Sequence, residues 1–566
     1  MFLTLMSNMS NRIFFAVLFS GFFLLNCTKK SQILASEPAT PGAITIGLAQ
    51  EPDSLFIPFR EMIASEEVVR VGMYTLTAFD ENWNLMPWAA KEIPTLENGK
   101  LELFTQNGQK KMRTTWEIKD DFFWADGKPL TADDFVLCYQ IIKDPTQEVI
   151  DRTTVEKIES MEARGPKRKT LVVTWKEPYA YYANYRNHQA LPVHVVGPLY
   201  KAAPERLKKS KFGQKPLLAG PFTIKEWAPG EYLRAEANPY AKGWLKPKVK
   251  EIIWRIIPQT NTLESNLVAG DIDAISPISL GLEQVLQIER RFKDQFNFYY
   301  TPGLVWEHID FNLDNPILKD RRVRRALAYG ANRQGITDLL SNGKQPVAHG
   351  TEPEKSPYYN PNVRKYNFDP KQAEKLLDEA GWKRPKPGAI REKNGERLKL
   401  TLMTTSGNKS REKVEQFLQS QWRNIGVDVE IHNQPAKVFF SQTMHKRKYK
   451  HMAMYAWIKD PVSLSDTIWR CDYIPKKSNG YLGQNQTGFC DPKVDELFKK
   501  ASQELDMKKR VKYAHQIEEI LAEELPALPL YFKVEVSVTK KGLKNWKPTG
   551  ILQPVTWNAK DWSFEE

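Results

Sequence analysis

The chain has 566 residues, 27% of them charged and 41% hydrophobic, with a mean hydropathy of −0.52. That length suits two or three domains of roughly 100–200 residues, and that polarity excludes a bundle of membrane helices. The net charge of +14 is spread along a chain that also holds 68 acids, with the densest knot at Arg321-Arg322-Val323-Arg324-Arg325. There is no basic tail of the nucleic-acid-binding kind, and such a knot reads as the solvated face of an amphipathic helix.

In chain order, the first feature is an apolar run at 13–25 that follows Arg12 and leads through Asn26 to Cys27. Crossing a membrane takes about 20 apolar residues. This run is shorter and fits the positive-then-apolar pattern of a secretory signal peptide at 1–26, complete from either Met1 or Met9. Leu24-Leu25-Asn26-Cys27 resembles a bacterial lipobox, which implies that Cys27 is lipidated and opens the mature protein. Asn26 departs from the small residue usual there, and an ordinary signal peptide with an incidental cysteine is the other reading. Residues 27–42, rich in Ser, Pro, Ala and Gly, read as a lipid-bearing tether. Export argues against a nucleic-acid partner, and the positive charge suits anionic lipid or acidic ligands.

Strand-like runs and capped helices then alternate, the pattern of a mixed α/β protein. Strands are expected at 43–49, 114–120, 170–175, 220–227, 249–257, 398–405, 427–432, 451–457 and 528–538. Thr131-Ala-Asp-Asp134 is a capping-box pattern. Asp369-Pro370 and Asp491-Pro492 each place a cap before a proline at the first helical position. Cys138 falls at helical spacing with Phe135 and Ile142, so it reads as a core residue. Cys471 and Cys490 frame a polar loop, and an oxidising compartment favours a disulfide there. No Cys/His spacing forms a structural zinc site, and no GxSxG, HExxH or P-loop occurs. His445 and His451, six residues apart as are His188 and His194, lie in a basic stretch that reads as surface.

Seven blocks, in order, resemble the bacterial extracellular solute-binding protein family 5, whose members serve oligopeptide, dipeptide and nickel transport. They are GLAQEPDSL (47–55), DDFFWADGKPLTADDFVLCYQIIKDP (120–145), GPFTIKEWAPGEYLRAEANPYA (220–241), LVAGDIDAI (267–275), DFNLDNPILKDRRVRRALAYGANRQGI (310–336), FDPKQAEKLLDEAGW (368–382) and LPLYFKVE (528–535). The resemblance implies an α/β, two-lobed periplasmic-binding-protein fold of the class II, cluster C type, with an extra inserted domain. Lobe 1 would comprise 43–75, 205–305 and 532–566, the inserted domain 76–204, and lobe 2 306–531. Two hinge strands would cross near 306–311 and 530–534, and the ligand would be enclosed as the lobes close. It also implies structural roles for Trp124, Asp126 and Asp133, which would otherwise pass for a catalytic cluster.

The function so implied is substrate capture for a peptide ABC importer, by a monomer tethered through its lipid anchor in the periplasm or at the cell surface. It would deliver short peptides to the permease subunits and need no catalytic residue, cofactor or metal. Trp457 and Asp460 match the family spacing of tryptophan, two variable residues and aspartate. A carboxylate there would neutralise a peptide's α-ammonium, whose burial unpaired is costly. The strand edge Ala456, Trp457, Ile458 would pair with the peptide backbone whatever its sequence. Pro461 directly after the aspartate and Lys459 beside it depart from the pattern, and a plain Asp460-Pro461 turn is the competing reading. The alternatives for function are the same fold holding an oligosaccharide, nickel or haem complex, or a surface lipoprotein that binds a host or matrix protein.

Overall fold

Ten strands form one mixed sheet: β1 (Ala43–Leu48), β2 (Phe222–Ala228), β3 (Tyr232–Ala237), β4 (Glu251–Ile256), β5 (Ala274–Ile275), β6 (Phe296–Phe311), β7 (Lys399–Met403), β8 (Asp428–Ile431), β9 (Met452–Ile458) and β10 (Ala527–Lys540). This computed structural model describes residues 42–565 except Met73, Tyr74, Ile150 and Tyr185. The leader at 1–26, the tether up to 41 and Cys27 lie outside the described residues. No helix among those described is long and apolar enough to cross a membrane.

The sheet order is β8-β7-β9-β6-β10-β5-β1-β4-β3-β2. β1 runs parallel to both β4 and β5, so both of its edges are paired, and its alternate residues Ile44, Ile46 and Leu48 turn one face into the core. β6 and β10 are long, antiparallel, and common to both halves of the sheet. Phe296–Pro302 of β6 pair with 534–540, whereas Trp306–Asp310 pair with 527–532. Between these stretches three β6 residues, Gly303, Leu304 and Val305, stand against Lys533 alone. Such a bulge bends the strand and breaks the ladder. The β5 ladder then joins β10 on one side of the break, and the β9 ladder joins β6 on the other.

Each half has its own core. Ile46, Leu233, Ile252 and Trp254 pack with Val68 and Val69 of the helix Ile63–Val69, and with Trp546 and Trp562 from the end of the chain. Across the bulge, Ile309, Leu402, Met454 and Leu528 pack against Val414, Leu418 and Trp422 of the helix Lys409–Asn424. A separate four-stranded antiparallel sheet between Leu101 and Trp175 encloses Met112, Trp116, Val173 and Trp175 beneath Phe135 of the helix Ala132–Lys143. The architecture is two lobes joined by two long strands, with a third unit inserted in the chain of the first.

The expected caps are in place. Asp134 accepts from Thr131 N at 2.7 Å, from Val193 N at 2.8 Å and from Trp124 Nε1 at 3.3 Å. Asp126 meets His194 Nε2 at 2.7 Å, and Asp133 takes both arms of Arg168. Asp369 and Asp491 accept from Gln372 N and Lys493 N at their helix starts. Cys138 is buried, and burial pushes its thiol up to about 12. Cys471 and Cys490 form a disulfide.

Two expectations need correcting. Arg324 is not on a solvated face: it is buried and donates to the carbonyls of Leu318, Lys319 and Leu525, because a helix end there needs its orphan carbonyls met. Nor is His451 on the surface. Its Nδ1 accepts from Thr401 N at 3.0 Å, and burial brings its pKa down to about 4.

Candidate functional site

β9 is paired along its whole length on one side and only partly on the other. Toward β6 it runs from Met452 opposite Phe311 to Ile458 opposite Val305. Toward β7 the ladder stops at Ala453, after which Thr404 Oγ1 donates to Met454 O at 2.7 Å. Lys459 N donates to Leu304 O at 2.9 Å. Alternation along a strand therefore turns the N–H and C=O of Ala456 and Ile458 away from β6. No strand pairs with that side of either residue among those described. The side chain of Ile458 is 60% exposed, while Trp457 turns to the opposite face and meets the Tyr455 ring at 5.8 Å.

At the strand's end, consecutive charges part. Lys459 is buried, with its Nζ 2.7 Å from Glu352 Oε1. Glu352 also accepts from Ser356 Oγ at 2.8 Å, and Glu518 accepts from Thr351 N at 2.8 Å in the same cluster. Burial pushes Glu518 upward, and the neighbouring Glu352 adds to the shift. Asp460 points the other way. Its Oδ1 accepts from Val462 N and Ser463 N, both at 2.9 Å, and so closes the turn. Its Oδ2 accepts from Asn184 Nδ2 at 3.3 Å. All three donors are neutral, and no cation among the described residues forms an ion pair with this carboxylate.

Asn184 belongs to the inserted unit, so Asp460 stands where that unit meets lobe 2. Around it Leu464 N donates to Tyr181 Oη at 3.4 Å, and Tyr358 Oη donates to Val462 O at 2.6 Å. Burial raises the Tyr358 hydroxyl to about 12, which keeps it a donor. Arg510 donates to Tyr358 Oη at 3.0 Å and lies 5.7 Å from the centre of the Tyr181 ring. Close by in sequence, Asn187 and Arg186 line a cavity of about 240 Å³ together with Arg60 and Met62 before the helix Ile63–Val69 and Ile63 and Glu66 within it.

A second charged group stands on the two shared strands. Glu307 of β6 is fully buried and is met by Arg411 Nε at 2.5 Å and by Lys533 Nζ of β10 at 3.0 Å. Burial alone would raise its pKa; the two cations outweigh that and hold it below the ordinary carboxylate range. Glu307 lies directly across from Ala456, so this cluster braces the strand whose outer edge is open.

The structure thus brings Ala456, Ile458 and Asp460 to one open edge, with Trp457 packed behind it. One oxygen of Asp460 closes the turn, as the competing reading expects, and the other accepts from Asn184 of the inserted unit. Sequence reasoning missed Asn184, Tyr181 and the Lys459–Glu352 pair. Only the oddity of a lysine beside the aspartate signalled the last.

The sequence profile described as bacterial extracellular solute-binding proteins, family 5 Middle, matches residues 84–476. The chain is similar to the oligopeptide-binding protein AppA of Bacillus subtilis, with 27% identity over 521 residues, 91% of this chain and 90% of that one. It is similar to the crystal structure of an oligopeptide binding protein from Thermus thermophilus complexed with pentapeptide: 30% identity, TM-score 0.65, covering 92% of this chain and 96% of the other. It is also similar to NikZ from Campylobacter jejuni in complex with Ni(L-His), with 26% identity, TM-score 0.67 and coverage of 92% and 99%.

Proposed function

The chain belongs to the bacterial extracellular solute-binding proteins, family 5, and from that membership we propose that it captures short peptides between its lobes and delivers them to the permease of an ABC importer. The observation that carries the peptide reading is the open edge of β9 ending at Asp460. Free N–H and C=O groups at Ala456 and Ile458 suit a ligand that brings its own backbone hydrogen bonds. A carboxylate met only by neutral donors suits a ligand that brings an α-ammonium. Pairing through the backbone makes affinity depend weakly on side chains, as suits a nutrient importer. Likeness to peptide-binding relatives over nine-tenths of the chain supports the same ligand class. In this reading lobe 1, the inserted domain and lobe 2 follow the boundaries expected from the sequence, the protein acts as a monomer without catalysis, and Cys27 carries the anchor.

Titration calorimetry with a small library of di- to pentapeptides tests the ligand class. Submillimolar binding is expected, lost on N-acetylation of the peptide and lost in Asp460→Ala. Removing one partner of a buried charge pair costs ~3–5 kcal/mol, a few hundred-fold or more in affinity. Binding that ignores both changes would remove Asp460 as the anchor. Binding of an oligosaccharide or a nickel–histidine complex with no peptide binding would overturn the substrate class. Cys27→Ala tests the anchor: after a high-salt wash the protein should leave the membrane fraction, and a variant that stays there, with wild type lacking a lipid mass, rules the acyl chain out as its tether.

A further inference from the structure

Two segments of lobe 2 place lysines and bare apolar side chains next to one another. One is the stretch 437–448, and the other is the tip of the loop closed by Cys471 and Cys490. The disulfide fixes the ends of that loop, and its body lies against the first segment. The rings of His445 and Tyr481 are 6.3 Å apart, and Gln486 O accepts from Arg447 Nε and Tyr449 Oη, both at 2.9 Å. Lys437, Lys448, Lys476 and Lys477 are exposed and Lys446 is half-exposed. Among the described residues none of these five is paired with a carboxylate; Lys446 has only Gln442 Oε1, at 2.9 Å. Val438, Phe440 and Leu482 are 43%, 45% and 72% exposed. Leu482 is the most exposed large apolar side chain among the described residues.

We propose that this strip rests on an anionic lipid surface. Unpaired ammonium groups need negative partners, and the apolar tips standing among them need cover from water. A membrane interface supplies both, with phosphates at the level of the lysines and acyl chains just beneath for Phe440 and Leu482. A protein partner fits less well. Protein interfaces are depleted in lysine and draw their binding energy from Trp, Tyr and Arg, whereas the charge here is lysine and the one arginine, Arg447, is tied to Asp314 at 2.9 Å. A protein resting on the membrane by this strip would meet its permease by two-dimensional search. The inference is independent of which solute the cleft holds.

The test uses the mature chain from residue 27 carrying Cys27→Ala, so that neither the leader nor an acyl chain is present, floated with vesicles. One set is a mixture of phosphatidylglycerol and phosphatidylcholine, the other phosphatidylcholine alone. Association with the anionic vesicles is expected, weakened by salt, and little with the neutral ones. Each lysine near such a surface is worth about fivefold in partitioning, so Lys476→Glu with Lys477→Glu should lower it by about 25-fold or more. Leu482→Ser should lower it less. Unchanged thermal unfolding and unchanged solute affinity would show that the variants fold. Equal partitioning onto both vesicle types, or partitioning unmoved by the charge reversal, overturns the proposal. So does a strip whose variants lose binding to detergent-solubilised permease while keeping their hold on lipid.

Discussion

Lys459 and Asp460 are consecutive residues whose side chains serve opposite sides of the end of β9. The lysine is sealed inside lobe 2 against Glu352 at 2.7 Å, and the aspartate turns outward to Asn184 at 3.3 Å. A strand's alternation requires this divergence. Inverting the two residues would bury a carboxylate beside Glu352 and Glu518 and put an ammonium where the ligand's own ammonium is expected.

The two tasks of Asp460 can be separated. Asparagine keeps an oxygen for Val462 N and Ser463 N but removes the charge, whereas alanine removes both. Asp460→Asn should unfold within about 0.5 kcal/mol of wild type, and Asp460→Ala should lose roughly 1 kcal/mol more as the turn's donors lose their acceptor. Both should lose peptide affinity alike. Urea unfolding beside calorimetry checks this; if Asp460→Asn binds as wild type does, the residue is a turn and nothing else.

The Lys459–Glu352 pair should behave as a buried ion pair. Lys459→Met leaves Glu352 charged and unpaired, a loss of ~3–5 kcal/mol. Lys459→Met combined with Glu352→Leu removes both charges and should recover much of that. A double-mutant cycle in denaturant measures the coupling, and additive losses would show that the two residues act independently.

Glu67 gives a pH dependence of definite sign. It is buried, it accepts a hydrogen bond from Ser276 Oγ, and burial raises its pKa to about 7. A carboxyl whose folded pKa lies above its unfolded value binds more protons when folded, so its contribution is full below about pH 4.5 and lost as pH rises through about 7. Glu67→Gln keeps the acceptor for Ser276 and cannot ionise. Relative to wild type, it should gain stability between pH 5 and pH 8, on the order of 2–3 kcal/mol. Thermal unfolding at the two pH values decides it; parallel curves would show that Glu67 does not titrate in that window.

Reducing the Cys471–Cys490 bond frees a loop spanning 19 residues of sequence, which should cost roughly 3 kcal/mol. Thiol counting on denatured, unreduced, acylated protein should find Cys138 alone, and three reactive thiols would exclude the bond.

The sequence by itself determined most of the elements and the family, because those rest on local physics. Apolar runs at 43–48 or 170–175 become strands wherever they are covered, and Asp369-Pro370 or Asp491-Pro492 start helices from the cap and the ring alone. The lysine beside Asp460 was visible as an oddity, but its direction was not. Of the longest strand, Phe296–Phe311, only the crossover near 306–311 was expected, and the part before it escaped notice because Pro302-Gly303 interrupts its pattern. Tertiary structure turns that interruption into the bulge at which the partner segments of the sheet change. Arg324 looked solvated because a period of 3.6 reports which face of a helix is polar, not what lies against it. Two of the carbonyls that meet it, Glu524 O and Leu525 O, come from 200 and 201 residues away. Asn184 and Asp460 are 276 residues apart. No local pattern could pair them, since contacts so distant in the chain follow from how the inserted unit and lobe 2 pack rather than from either segment's own preferences.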